Sequence, residues 1–154
     1  VKNCINLYKG VPRIEGEPPE VKTPVDIFAE WAVKNVKRFI ASEGHGYNEK
    51  NWTGGILDCL YEDLEGRLVI LDFKSSKDAY MSHFFQCAGN DLQITESGVL
   101  DKDGNVIYKL ERPVDYYAVL PFGAVKPEPV FHYDTVGARE GFESAVKIHK
   151  LLNK

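Results

Sequence analysis

The apolar positions of this chain change their period several times, and each change marks an element. Ile27, Phe28, Trp31, Ala32, Asn35, Val36 and Phe39 follow one another at helical spacing, which predicts an amphipathic helix over roughly 25–41. Thr23-Pro24 suits its start, because proline needs no N–H partner in a first turn and Asp26 complements the positive end of a helix. Upstream, residues 1–23 hold Gly10, Pro12, Gly16, Pro18 and Pro19 without clean periodicity and read as an irregular lead-in. Ser42 to Trp52 reads as a short strand plus a loop.

The centre of the chain changes to strand character. Gly55 to Glu62 and Arg67 to Phe73 are both strand-like, and the second contains Leu68-Val69-Ile70-Leu71, a run that suits a strand covered on both faces. Leu64-Glu65-Gly66 between them is a three-residue loop with glycine where a left-handed residue is needed. A helix is predicted at roughly 79–94, carrying Phe84, Phe85, Ala88, Leu92 and Ile94. Short strands follow at roughly 98–100, 106–111, 116–122 and 130–133, and an amphipathic helix at roughly 137–152. Strands and helices in this order predict an α/β or α+β domain with a mixed sheet.

Composition narrows the classes. With 154 residues, 44% of them hydrophobic and 27% charged, the chain suits one domain with one real core. No stretch approaches the ~18–20 apolar residues that span a bilayer, so no membrane role is expected. The chain begins at Val1 rather than a methionine, which suggests a piece of a longer protein lacking an N-terminal segment. A net charge of −4 argues mildly against a protein that grips duplex DNA through many phosphates, although a metal site would bring its own positive charge. Cys4, Cys59 and Cys87 are odd in number, widely spaced and without a C-x-x-C pattern, so neither a disulfide framework nor a zinc site is expected. Buried free thiols suit a reducing compartment, and the expectation is a cytoplasmic protein.

Residue numbers alone give the hairpin its register. With Leu64-Glu65-Gly66 as the loop, Asp63 faces Arg67, and five residues back along each strand Asp58 faces Asp72. Directly opposed side chains have Cβ atoms about 4.5–5.5 Å apart on the same side of the sheet. Lys74 shares that side with Asp72, and Phe73 turns to the other. Two facing carboxylates repel unless a cation lies between them. A divalent ion with oxygen ligands, with an amine alongside, is what metal-assisted phosphodiester hydrolysis needs. A one-residue slip would destroy the arrangement, leaving Asp58, Asp72 and Lys74 as ordinary solvated residues at strand ends.

Gly55-Ile56-Leu57-Asp58, thirteen residues, then Asp72-Phe73-Lys74-Ser75-Ser76, then Gln86 in a helix, resembles the RecB-like branch of the PD-(D/E)XK nucleases, with its phage and prophage exonuclease domains nearest in pattern. The resemblance implies a restriction-endonuclease-like α/β core, a mixed sheet flanked by helices. It implies Mg²⁺- or Mn²⁺-dependent DNA hydrolysis by an exonuclease of phage recombination or repair, with DNA and either a second copy or a recombination protein as partners. It further implies Asp58 and Asp72 as metal ligands with the main-chain carbonyl of Phe73 as a third. Lys74 would position water or stabilise the transition state, Gln86 would contact the site from its helix, and Glu43 loosely matches an upstream acidic position. Two positions depart from the pattern: Asn90 stands where Q-x-x-x-Y has its tyrosine, and no histidine precedes His45 to supply the ligand that many members carry. These departures motivate the alternative, an inactive nuclease-like module that binds DNA or a partner protein.

The remaining candidates carry less. His45, His83, His132 and His149 have no ligand-like spacing, and His83, three residues before Gln86, is the best placed to approach the site. Tyr47 and Trp52 could stack on an unpaired base, the plainer expectation being that they pack the loop against a helix. Lys77 suits either a phosphate contact or a solvated helix start. Phosphate loops of the G-x-x-x-x-G-K type and G-x-S-x-G elbows are absent.

Overall fold

The computed structural model describes residues 19–153. Its elements are α1 (Pro19–Asn35), β1 (Val36–Asn48), β2 (Thr53–Asp63), β3 (Leu68–Lys74), α2 (Met81–Ser97), β4 (Val99–Leu100), β5 (Val106–Tyr108), β6 (Tyr116–Pro121), β7 (Val130–His132) and α3 (Thr135–Leu152). The seven strands form one open sheet in the order β5-β4-β1-β2-β3-β6-β7. Only β3 and β6 run parallel; every other neighbouring pair is antiparallel. The result is an α/β architecture with a mixed sheet and helices on both faces, as the alternation of strand and helix signals predicts. Among the described residues no helix is long and apolar enough to cross a membrane.

Side-chain alternation along the central strands divides the core in two. Val69 and Leu71 of β3, with Tyr116, Ala118 and Leu120 of β6, pack against Val25, Phe28 and Ala32 of α1. Ile70, Tyr117 and Val119 turn the other way, onto Phe84, Cys87, Ala88 and Ile94 of α2 and Ala138 of α3. All four residues of Leu68-Val69-Ile70-Leu71 are buried, as expected for a strand covered on both sides. The two helices on the second face approach closely. Phe142 of α3 lies where a side chain on Gly89 of α2 would stand, and Phe85 of α2 lies likewise over Gly141 of α3.

The first helix corrects the sequence reading at both ends. It starts at Pro19 and stops at Asn35, so residues 19–23 are helical and Pro24 lies inside the helix; Val36 to Ala41 belong to β1. The rest of the predicted lead-in, together with Cys4, lies outside the described residues. The cause of the misreading is a pair of register shifts in β1, between Val36 and Arg38 and between Phe39 and Ala41. Such bulges break the two-residue period. Val36 and Phe39, three apart, therefore meet the same core cluster as a helix would have them do. Pairing with β2 along nearly its whole length decides the conformation. The other predicted elements stand where expected to within a few residues.

The β2–β3 turn has the predicted form: Gly66 has φ +80°, and Asp63 N–H donates to the Arg67 carbonyl at 2.9 Å. The Asp63 side chain clamps it, accepting from the N–H groups of Glu65 and Arg67, the Arg67 guanidinium and the Tyr116 hydroxyl. Burial works to raise the Asp63 pKa, but these four donors outweigh it and hold the carboxyl below its ordinary value. A depressed carboxylate stabilises the fold above its unfolded pKa and loses that contribution on acidification. Asp63→Ala is expected to cost about 2–4 kcal/mol at neutral pH in urea denaturation. The gap from wild type should narrow below about pH 4; a gap that does not change with pH would contradict the charge-based account.

Candidate active site

The hairpin register runs as predicted from the loop as far as Cys59, which pairs with Leu71. There the two strands part. β3 stays paired to β6 as far as Lys74, whereas β2 continues toward its beginning beside β1 alone. Asp58 and Asp72, the next opposed residues, sit at this fork. The Phe73 N–H, one residue past Asp72, is bonded by the Asp58 side chain, with Oδ2 accepting at 2.8 Å. A carboxylate thus takes a main-chain donor beyond the end of the ladder.

Two features of the strands open the fork. Leu57 and Leu60 belong to the α2-side core while Cys59 and Tyr61 belong to the α1 side, so the alternation of β2 is interrupted once, at Asp58. On the neighbouring strand Ser42 pairs with Cys59 and Gly44 with Leu57, which sets Glu43 opposite Asp58; Glu43 has φ +52°, a left-handed conformation uncommon for a residue with a side chain. The distortion of the sheet is centred on the Asp58 level.

The four sequence-predicted side chains, Asp58, Asp72, Lys74 and Gln86, line one cleft of about 420 Å³ together with Phe73. Asp72 is only 8% exposed. Burial, then hydrogen bonding with the adjacent Asp58 carboxyl, pushes its pKa up to about 6, and Lys74 pulls in the opposite direction. Lys74 Nζ lies 2.9 Å from Asp72 Oδ2 and donates to Gln86 Oε1 at 2.6 Å. Although close to Lys74, Asp72 Oδ2 is buried without a well-directed hydrogen bond, so its pairing with the ammonium is a matter of proximity. Phe73 turns its ring to the opposite layer, 5.3 Å from both Phe28 and Phe122, and only its main chain serves the cleft.

Hard oxygen donors, a buried oxygen lacking a directed partner and two adjacent acids make a set that suits Mg²⁺ or Mn²⁺. The carboxylates available are two: among the described residues no three His, Cys, Asp or Glu side chains gather in a group able to hold a metal ion. Further ligands would come from main-chain oxygen and water, so the loosely matched Glu43 adds no third acid.

Other candidates fall elsewhere. His83 Nδ1 accepts from the Tyr80 N–H at 3.1 Å at the start of α2; burial and then the Lys74 charge lower its pKa. His132 stacks on Phe84. His45 is a sheet residue paired with Leu100, and His149 lies near the end of α3. Lys77 is exposed. The expectation that Trp52 packs its loop against a helix fails, since Trp52 is 82% exposed. Cys59 and Cys87 are both buried.

One residue of the cleft went unread in the sequence. Gln93 lines it beside Asn90, is 5% exposed, and leaves its Oε1 without a partner. The signal was present, because Gln86, Asn90 and Gln93 are spaced to lie on one helical face. Gln93 also explains Gly55: a side chain there would stand 2.8 Å from Gln93 Oε1.

Compared with models of known protein families and with curated proteins, the chain gives no match.

The raised Asp72 pKa predicts a stability signature. A carboxyl whose folded pKa exceeds its unfolded value favours the fold at low pH and loses that advantage as pH rises from about 4 through about 6. Asp72→Asn, which imitates the protonated form, should therefore stabilise the chelated protein by about 2–3 kcal/mol at pH 8 and by close to nothing at pH 4. Thermal unfolding in chelator at both pH values checks this. Mn²⁺ should raise the melting temperature of wild type and not that of the variant.

Proposed function

We propose that this chain is a Mg²⁺- or Mn²⁺-dependent nuclease domain of the PD-(D/E)XK kind that hydrolyses phosphodiester bonds in DNA. The observation that carries the proposal is the convergence, at one fork in the sheet, of two adjacent aspartates and a lysine in the register that the hairpin loop dictates. The RecB-like pattern of Gly55, Asp58, Asp72, Lys74 and Gln86 points to the exonuclease branch, and to phage or prophage recombination or repair as the setting.

In this reading Asp58 and Asp72 would hold the ion with help from the Phe73 carbonyl. When bound, the ion would supply Lewis acidity toward the phosphate and toward the attacking water. Lys74 has three ammonium protons: one is directed to Gln86, one side faces Asp72, and one remains for a phosphate oxygen or the water. Gln86 positions that ammonium, since its carbonyl oxygen accepts the 2.6 Å bond and restricts where Nζ can sit. Tying Lys74 down before substrate arrives lowers the reorganisation needed as charge builds on the phosphate. The apolar layer under the fork, Leu60, Ile70 and Cys87, keeps bulk water from behind the acids.

Linear DNA labelled at either end, incubated with the protein in Mn²⁺ and separately in chelator, tests the proposal. Cleavage is expected only with metal, and Asp58→Asn, Asp72→Asn and Lys74→Ala should each lower it by about 10²–10⁴-fold. Gln86→Ala, acting through the lysine, should cost about tenfold and leave metal uptake unchanged. Metal-independent cleavage, or full activity in Asp72→Asn, would sink it. Calorimetric Mn²⁺ binding that needs both aspartates, without cleavage of any DNA, would favour a nuclease-like binding module instead.

A further inference from the structure

Beyond the cleft, the turn between β1 and β2 carries an exposed aromatic platform. Trp52 is 82% exposed and Tyr47 46%. Trp52 has φ +55°, a costly conformation for a bulky aromatic, and it keeps the ring off the core at the turn. With Asn48, Glu49, Thr53 and Gly54 the two aromatics line a groove of about 350 Å³. Among the described residues Gly54 lines both this groove and the cleft, so the two adjoin along β2. Tyr47 pairs with Gly54 across the sheet, and no side chain from that partner covers its ring.

Resting on the nuclease reading, we infer that this groove is a stacking subsite for an unpaired nucleobase, and that the substrate enters as a single DNA strand. From Gly54 to Asp58 the strand spans roughly 13 Å, a distance of a few nucleotides. The charges around the turn favour a ring over a phosphate as the groove's occupant. Lys50 is drawn to Glu143 at 3.6 Å, Glu96 accepts from the Glu49 N–H, and Lys150 donates to the Asn51 carbonyl. Both acids and bases are present, so among the described residues no positive strip tracks a backbone there; flat apolar faces are what the groove offers. An intact duplex hides its bases from such a platform, whereas a single strand presents them.

The chain has two tryptophans, and the other, Trp31, lies in the aromatic cluster of α1, so fluorescence changes on adding DNA report mainly on Trp52. The test titrates the full chain with a short oligothymidylate, and with a blunt duplex, in Ca²⁺ to suppress cutting. Quenching by the single strand is expected, with at least about tenfold preference over the duplex, and Trp52→Ala should weaken single-strand binding about 5- to 100-fold. Trp52→Phe should keep most of the affinity. Trp52→Gly should lose it while relaxing the strained backbone, which separates the ring's role from folding. Equal binding of duplex and single strand, unchanged affinity in Trp52→Ala, or no binding of either oligonucleotide would overturn the inference. Cleavage retained by Trp52→Ala with unchanged affinity removes the subsite and spares the nuclease reading; Trp52-dependent binding by a protein that cuts nothing does the reverse.

Discussion

Two carboxyl groups brought side by side at a poorly solvated sheet end repel each other, and this repulsion organises the centre of the molecule. Asp58 and Asp72 meet because the hairpin register leaves them opposed, and each is answered differently. Asp58 bonds the Phe73 main chain, while Asp72 leans on Lys74 and retains a raised pKa. The parting of β2 from β3 follows at the same level, where the alternation of β2 is interrupted and Glu43 takes a left-handed turn on the next strand. A regular sheet through this point would give the acids no opening to solvent.

The scaffold keeps that strained centre in place with ion pairs set elsewhere. Asp91, buried in α2, accepts from the Tyr117 hydroxyl of β6, from Thr95 and from Arg139 of α3, joining the sheet and both helices through one carboxylate. Asp63 ties the far end of the hairpin to β6, accepting from Glu65, Arg67 and Tyr116. A fully satisfied buried network fixes how elements meet even where its net energy is modest. Asp63 and Asp91 are well bonded, whereas Asp72 in the cleft keeps one oxygen without a directed hydrogen bond.

Much of this was legible in the sequence because it rests on short-range rules. A three-residue loop ending in glycine set the register, and the register placed Asp58 against Asp72, with Lys74 on the same side and Phe73 on the other. Gln86 required only a helix after the motif. What escaped depends on contacts between distant segments. Val36 and Phe39 imitate a helix because two bulges shift their faces, and bulges are set by pairing with β2, which no local pattern records. Trp52 looked like a packing residue because aromatics usually pack; its left-handed backbone leaves it in solvent instead. Gln93 shares a helical face with Gln86 and Asn90, but its approach to Gly55 shows only once the strand and the helix are seen together.

The reciprocal seating of Phe142 over Gly89 and Phe85 over Gly141 has a bearing on how the chain can vary. Phe142 is also a wall of the candidate cleft, so the breadth of that cleft is fixed by how near two helices, touching through residues more than fifty apart in the chain, can come. A methyl group on either glycine would push a ring aside and redraw the wall without touching an acid or the lysine. Changes in what the cleft admits can therefore arise at a helix contact, while Asp58, Asp72 and Lys74 stay as they are.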